Sequence, residues 1–559
     1  MTITSKYDAT KLSIVFVAAM MLPVIVLAYT EKNPFWVTLG SVLLPLGGYL
    51  IWTALSARSG RMVWAAGVFV ILSAFQIVLL YLFGDSVIAT DMFLNLLTTN
   101  AGEASELLSN ILPSVIVVCA IYIPLLWKAS VHLKNKIKLK PKVRRRFATV
   151  GFVTLVAGVG AIFIGGNGRT KVIVRDDVFP VNVCYYLGLS ISEAIKINNF
   201  EKTSDGFIYE VSRDRVVPHR EIYVLVIGEA SRAANWQLYG YERKTTPKLS
   251  ARRDLAVFRA VTTLSNTTHK SVPLMLSSVA ADEHELIYKR KGLPAIFNEA
   301  GFDTYFISNQ SPQGAMIDYL AADARKVIYI DEEQYDEAMI KVMEDAIKNN
   351  PSQKLLFILH SYGSHFSYRQ RYPRKFARFT PDDDVAISKK NIEQLRNAYD
   401  NSILYTDYFL NEVIETLCRQ IDACSAMLYC ADHGEDLMDN GSKNFLHSSP
   451  KTTYFQTHVA ALAWFSPIYS DYFANKVKAA HENMFVPATT HSVFHTVADM
   501  ASLRSPYIKY DVSLVNDGFD YSTPRLYVDD HNNAVALDRS IGIDAMQRNL
   551  FRRAGVSMP

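Results

Sequence analysis

Apolar residues are spread unevenly along the chain. Five long apolar runs fall in its first third, at 12–29, 35–55, 63–83, 107–127 and 147–166. Each lies within the roughly 17–25 residues that a helix needs to cross a bilayer. The pattern therefore predicts five transmembrane helices. The first run lacks a small-residue cleavage site followed by a polar start and reads as a retained span. A further stretch, 179–195, repeats Val183, Leu187 and Ile191 at helical spacing beside Tyr185 and Tyr186. Two placements fit it equally: a helix lying in the membrane interface, or a buried helix of a soluble domain. From 221 onward the pattern changes. Short apolar runs at 223–227, 304–308, 355–359, 426–430 and 459–465 alternate with amphipathic stretches such as 293–299 and 392–417. That alternation predicts an α/β domain with a mostly parallel sheet. The expected division is 1–166 transmembrane, 167–220 linker with the amphipathic helix, and 221–559 catalytic.

Charge adds a direction. The net charge of +4 over 559 residues is too small for a nucleic-acid binder. Its placement carries more. The second loop holds Arg58 and Arg61, and the fourth holds Lys128, Lys134, Lys136, Lys138, Lys140, Lys142 and Arg144 to Arg146, whereas 84–106 contains no Lys or Arg. Basic loops stay cytoplasmic, so the N-terminus is expected inside and the domain after the fifth span outside. Of the five cysteines, Cys119 and Cys430 read as small buried hydrophobes. Cys418 and Cys424 are close enough in sequence to pair in an oxidising compartment.

Candidate chemistry falls after the apolar runs, where open α/β sheets bind ligands. Gly228-Glu229 follows the first run, His360 to His365 the third, and Asp432-His433-Gly434-Glu435 the fourth, with His447 beyond. Glu229, Asp432 and His433 offer oxygen and nitrogen donors of the kind zinc takes. Alone, each has an ordinary reading: a helix cap for Glu229, a turn for the Asp-His-Gly. Their convergence at one sheet edge favours a metal site. The hydroxyl-rich segment 262–271 precedes an apolar stretch and could supply a nucleophile at a helix N-terminus. Composition does not choose among Thr262, Thr263, Ser265, Thr267, Thr268 and Ser271.

Val226-Ile-Gly-Glu-Ala-Ser-Arg232, Leu238-Tyr-Gly-Tyr241, Thr245-Thr-Pro247, Thr268-His-Lys-Ser-Val-Pro273, His360 to His365, Tyr399-Asp-Asn401 and Asp432-His-Gly-Glu435 occur in one order. This ordered set resembles the phosphoethanolamine transferases of the alkaline phosphatase superfamily, which include lipid A-modifying and colistin resistance enzymes. The resemblance implies a five-helix transmembrane domain joined to an α/β, alkaline-phosphatase-like (sulfatase-like) catalytic domain. It implies an inner-membrane location with a periplasmic site, and a monomer. The donor would be phosphatidylethanolamine, and the acceptor lipopolysaccharide, either a lipid A phosphate or a core sugar. Polymyxin resistance would be one consequence.

By the same resemblance, Thr268 is the nucleophile and Glu229, Asp432 and His433 join it in holding Zn2+. His365 and His447 lie beside the phosphoryl group, Asn309 lines the phosphoethanolamine pocket, and Asn95, Thr99 and Glu103 form a polar face toward the substrate. Two positions depart from the family. Leu264-Ser-Asn266 replaces a Cys-Gly-Thr, and Gln313 stands at an expected lysine. The rival readings are a phosphoglycerol transferase, a phosphatase or sulfatase-like hydrolase, or a non-catalytic membrane scaffold. The missing Cys-x-Pro-x-Arg signature counts against a sulfatase.

Overall fold

The computed structural model describes residues 8–553 apart from 32, 84–86, 99–100, 214, 313, 331–333, 443, 450–451 and 538–544. For 83, 95–98, 101–110, 546–547 and 551 it describes the backbone alone. The chain forms two compact units: Met1–Phe93 with Leu107–Ser192, and Leu94–Glu106 with Glu193–Pro559.

Among the described residues of the first unit, four helices are long and apolar enough to cross a membrane: Ala9–Thr30, Phe35–Ala54, Ile111–Lys134 and Pro141–Gly165. The count reaches six if each of two bent pairs forms one span. The third expected span is one of those pairs, bent by 59° where Ala66 leaves helical geometry before Gly67. Hydropathy registers the apolar run but not a break inside it. Small residues bring Phe35–Ala54 against Pro141–Gly165. A Cβ on Gly47 would sit 2.7 Å from the Gly151 carbonyl oxygen, and one on Gly158 would sit 2.8 Å from the Leu44 nitrogen. Such contacts hold helices together where lipid removes the hydrophobic incentive.

The amphipathic stretch is the helix Val181–Asn198. Val183 and Tyr186, with Phe179 just before the helix, are buried in the same apolar core as Phe16, Tyr49 and Tyr122 of the first unit.

The second unit is built on a seven-stranded sheet. In chain order its strands are β1 (Arg220–Gly228), β2 (Leu255–Phe258), β3 (Asp303–Ser308), β4 (Lys326–Tyr329), β5 (Lys354–His360), β6 (Ala423–Ala431) and β7 (Ala461–Phe465). They lie in the order β2-β7-β6-β1-β5-β3-β4. β7 runs antiparallel to both its neighbours, and the other pairings are parallel. Central strands covered on both faces need continuous apolar runs, and from the second residue on β1 is wholly buried. The two edge strands escape the pattern. β2 has four residues, and β4 is largely exposed and too short to alternate visibly.

The start of β1 is fixed by a buried ion pair. Arg213 donates from both terminal nitrogens to Glu221, at 2.9 and 2.6 Å. The two side chains are 8% and 1% exposed. Removing one partner strands the other charge in the interior, so Arg213→Ala is expected to cost about 3–5 kcal/mol. Urea unfolding followed by near-ultraviolet dichroism checks this; a change below 1 kcal/mol, near the ~0–1 of a surface pair, would contradict it.

The expected cysteine pair does not form; all five cysteines are free thiols. Cys418 ends the helix Ile392–Cys418 and is exposed, whereas Cys424 is buried in β6. The turn between helix and strand sends the two side chains into different surroundings.

Candidate active site and metal centre

Parallel register brings the strand ends level. Ile227 of β1 pairs with His360 of β5 and with Cys430 of β6, and Gly228 pairs with Ala431. One step further along the chain stand Glu229, Ser361 and Asp432, with Asn309 following β3. Glu229, Asp432 and His433 are all buried.

Distance separates the hydroxyls of the segment. Thr268 Oγ1 lies 3.2 Å from each oxygen of Glu229 and 3.0 Å from His433 Nε2. The other hydroxyls of the segment are committed elsewhere. Thr263 and Ser271 donate to the Asp432 carbonyl, Thr262 to the Ala488 carbonyl, and Thr267 faces Ser265. Thr268 is the first residue of the helix Thr268–Met275, and the Lys270 and Ser271 amides bond back to the Thr267 carbonyl.

Each histidine near Thr268 is oriented through its other ring nitrogen. His433 Nδ1 donates to the Gly434 carbonyl at 2.9 Å, which leaves Nε2 as an unprotonated donor atom facing Thr268. His365 Nδ1 donates to the Phe366 carbonyl at 2.6 Å. His447 Nδ1 lies 2.8 Å from the Glu435 carboxylate, whose other oxygen accepts from the Tyr368 hydroxyl. A hairpin makes that contact. Leu446 pairs antiparallel with Asp436, so the next residue on each strand, His447 and Glu435, face one another. The His447 ring centroid sits 4.1 Å from that of His433 and 6.1 Å from that of His365. Gly434 has no room for a side chain, because a Cβ would lie 2.0 Å from the Phe455 carbonyl oxygen.

The donor set fits a divalent cation. The ligand atoms of Glu229, His433 and His447 lie within 4.8 Å of one another. Asp432 adds Oδ2, 3.3 Å from His433 Nε2, buried and without a hydrogen-bond partner among the described residues. Its Oδ1 accepts from the Ala230 and His433 amides at 3.1 and 2.7 Å. Burial drives the Glu229 carboxyl well above its ordinary range, and the Asp432 carboxylate adds to the rise. Burial also pushes Asp432 up to about 7. It lowers His433 to about 4, helped by His447, and His447 to about 4, helped by His269. Two adjacent buried carboxylates and neutral imidazoles are costly without a cation and suited to one.

Asn309 donates to Asp336 at 2.8 Å, and Asp336 also accepts the Tyr362 and Gly363 amides. Asn309 thereby buttresses the loop carrying His365. Thr99 and Gln313 lie outside the described residues, as do the side chains of Asn95 and Glu103. His360 is a core residue, 3.1 Å from the Ser308 hydroxyl. Sequence reading missed Gln310, which donates to Glu229 at 3.2 Å and to the Ser361 carbonyl at 2.9 Å. It also missed the role of Glu435, whose only signal was a carboxylate two residues after His433 and twelve before another histidine.

This is a sulfatase-type α/β domain carried by a chain with a helical membrane unit. Residues 221–502 match the family model Sulfatase, and the chain belongs to that family. Residues 49–185 match a second model, phosphoethanolamine transferase EptA/EptB. The Kdo(2)-lipid A phosphoethanolamine 7''-transferase of Escherichia coli strain K12 is 28% identical over 353 residues, which are 60% of this chain and 61% of that protein. The chain spans between 45% and 61% of the length of the curated relatives it matches. Among solved structures, the integral membrane lipooligosaccharide phosphoethanolamine transferase A of Neisseria meningitidis matches with a TM-score of 0.67 at 22% identity. That match covers 90% of this chain and 98% of that one. The zinc complex of the C-terminal periplasmic domain of EcEptC from Escherichia coli matches with a TM-score of 0.53 at 23% identity, over 60% of this chain and 98% of that one. At these identities the structural likeness establishes a shared fold.

Proposed function

We propose that this chain transfers phosphoethanolamine from phosphatidylethanolamine to a lipopolysaccharide acceptor, through a covalent intermediate on Thr268. The observation that carries the reading is the Thr268 hydroxyl, set 3.0–3.2 Å from His433 Nε2 and both Glu229 oxygens. The names of the relatives point to the transferred group, and the EptA/EptB match supports it. Glu229, Asp432 and His433 would hold zinc with Thr268, with His447 in reach. Zinc there supplies Lewis acidity toward a phosphoryl oxygen and lowers the pKa of the hydroxyl.

Thr268 Oγ1 attacks the donor phosphorus, the bond to the glycerol oxygen breaks, and diacylglycerol leaves with a proton. An acceptor oxygen, from a lipid A phosphate or a core-sugar hydroxyl, then attacks the phosphorus and releases Thr268. His365 or His447 moves the proton, each offering Nε2 because its Nδ1 is already engaged. Asn309 and the face carrying Asn95, Thr99 and Glu103 would receive the substrate's polar groups. The membrane helices keep the domain near lipid-linked substrates and raise their effective concentration. The site is placed in the periplasm, on the charge asymmetry of the loops.

The full chain in detergent, incubated with labelled phosphatidylethanolamine, should release diacylglycerol and add the mass of phosphoethanolamine to the peptide containing Thr268. Consumption of phosphatidylglycerol alone would make it a phosphoglycerol transferase. Phosphate release without an adduct would make it a hydrolase, and no turnover of either lipid would favour a scaffold.

A further inference from the structure

The membrane unit contains a cavity of about 320 Å³ that the chemistry at Thr268 does not use. Phe16, Leu44, Gly48, Tyr49, Leu155 and Phe179 are among its walls, and no charged side chain lines it. It is roughly twice the ~150 Å³ of an apolar cavity that stays dry and takes up an apolar ligand. It also falls within the ~300–1,000 Å³ of small-molecule pockets. Val181, on its lining, is 47% exposed.

Two features separate it from a packing defect. The first is a pair of adjacent glycines with opposite surroundings. Gly47 abuts the backbone of Pro141–Gly165, whereas a Cβ on Gly48 would meet nothing within 4 Å. Gly48 thus leaves open space beside the cavity where a Cβ would stand. The second is the Tyr49 hydroxyl, which is buried and has no hydrogen-bond partner among the described residues, although Tyr49 is only 7% exposed. The other polar group on the lining, the Trp52 indole N–H, already donates to the Met62 carbonyl at 2.9 Å. A buried donor left over in an apolar cavity calls for an acceptor brought by the occupant.

We infer that this cavity is a binding site for one acyl chain of a membrane glycerophospholipid, whose ester carbonyl accepts from Tyr49. The walls match a hydrocarbon tail, the helices around it are those apolar enough to span a bilayer, and the single free donor matches the single acceptor class at the head of such a tail. The inference rests on the cavity alone and stands independently of the transferase reading.

The test uses the full chain in nanodiscs containing a phosphatidylcholine with a diazirine at mid-chain. Phe16 is buried in the wall of the cavity, whereas Phe152 and Phe163 are 62% and 73% exposed and report bulk lipid. Irradiation should label peptides containing Phe16 as well as those containing Phe152 and Phe163. Gly48→Phe should lower the Phe16 label by an order of magnitude and leave the other two unchanged. Gly48→Leu serves the same purpose if the larger variant fails to insert. Absence of label at Phe16 in the wild type overturns the proposal, as does label there that neither variant reduces.

Discussion

Replacing Thr268 by alanine is expected to abolish transfer while leaving the protein folded and inserted. The hydroxyl carries no charge and closes no core, so its loss removes the attacking atom without unbalancing the buried carboxylates. Losing the nucleophile of a cooperating group costs orders of magnitude, here roughly 10⁴-fold or more in turnover. Thr267→Ala is the control. Its hydroxyl faces Ser265 and makes no side-chain capping bond, so the helix beginning at Thr268 keeps its place. Turnover of labelled phosphatidylethanolamine and the adduct on the Thr268 peptide are the readouts. Thr268→Ala with turnover near that of wild type would remove the covalent step from the mechanism. Loss of activity in both variants, with neither forming adduct, would mean that the helix start matters and the particular hydroxyl does not.

The second large effect concerns the metal, and it has an unusual sign. Asp432→Asn should purify without zinc, whereas the wild type should carry at least one per chain. A ligand that binds only the folded state at 100 times its dissociation constant stabilises by about 2.7 kcal/mol. Chelation should therefore destabilise the wild type by about that amount and leave the variant unmoved. In chelator, however, the variant should be at least as stable as the wild type. Asp432 Oδ2 is buried without a hydrogen-bond partner among the described residues and shares the site with Glu229. Converting it to an amide removes an uncompensated carboxylate, and the retained Oδ1 still accepts the Ala230 and His433 amides. Elemental analysis with paired unfolding curves decides the matter. If chelator leaves the wild type unchanged and Asp432→Asn is simply less stable, these carboxylates are structural and the zinc assignment falls.

The site was legible in unequal parts. Glu229, Asp432 and His433 stand beyond long apolar runs because strands buried on both faces must be apolar throughout, and the first polar residue marks where the sheet ends. Thr268 could be narrowed to six hydroxyls by composition and singled out only by family likeness, since one segment offers many equivalent oxygens. Asn309, expected to line a pocket, also donates to Asp336, which holds the His365 loop. Gln310, its neighbour, is the amide that reaches Glu229. Adjacent residues leaving a strand point in different directions, and no pattern of residue types reveals which way each turns.

By itself the sequence determined the two-part organisation, the apolar helices, the parallel sheet and the chemistry gathered along its carboxyl edge. All of these follow from the solvation of local segments: apolar runs leave water, and their period fixes helix or strand. Tertiary structure alone decided which hydroxyl meets the carboxylate. It decided that a hairpin in register brings His447 onto Glu435, that an apolar run breaks at Ala66, and that Cys418 is exposed while Cys424 is buried. Only the fold could show that Gly47 closes a helix contact while Gly48 faces an open cavity. These outcomes depend on distances between residues far apart in the chain, or on side-chain direction set by packing, and neither quantity is a property of a local stretch of sequence.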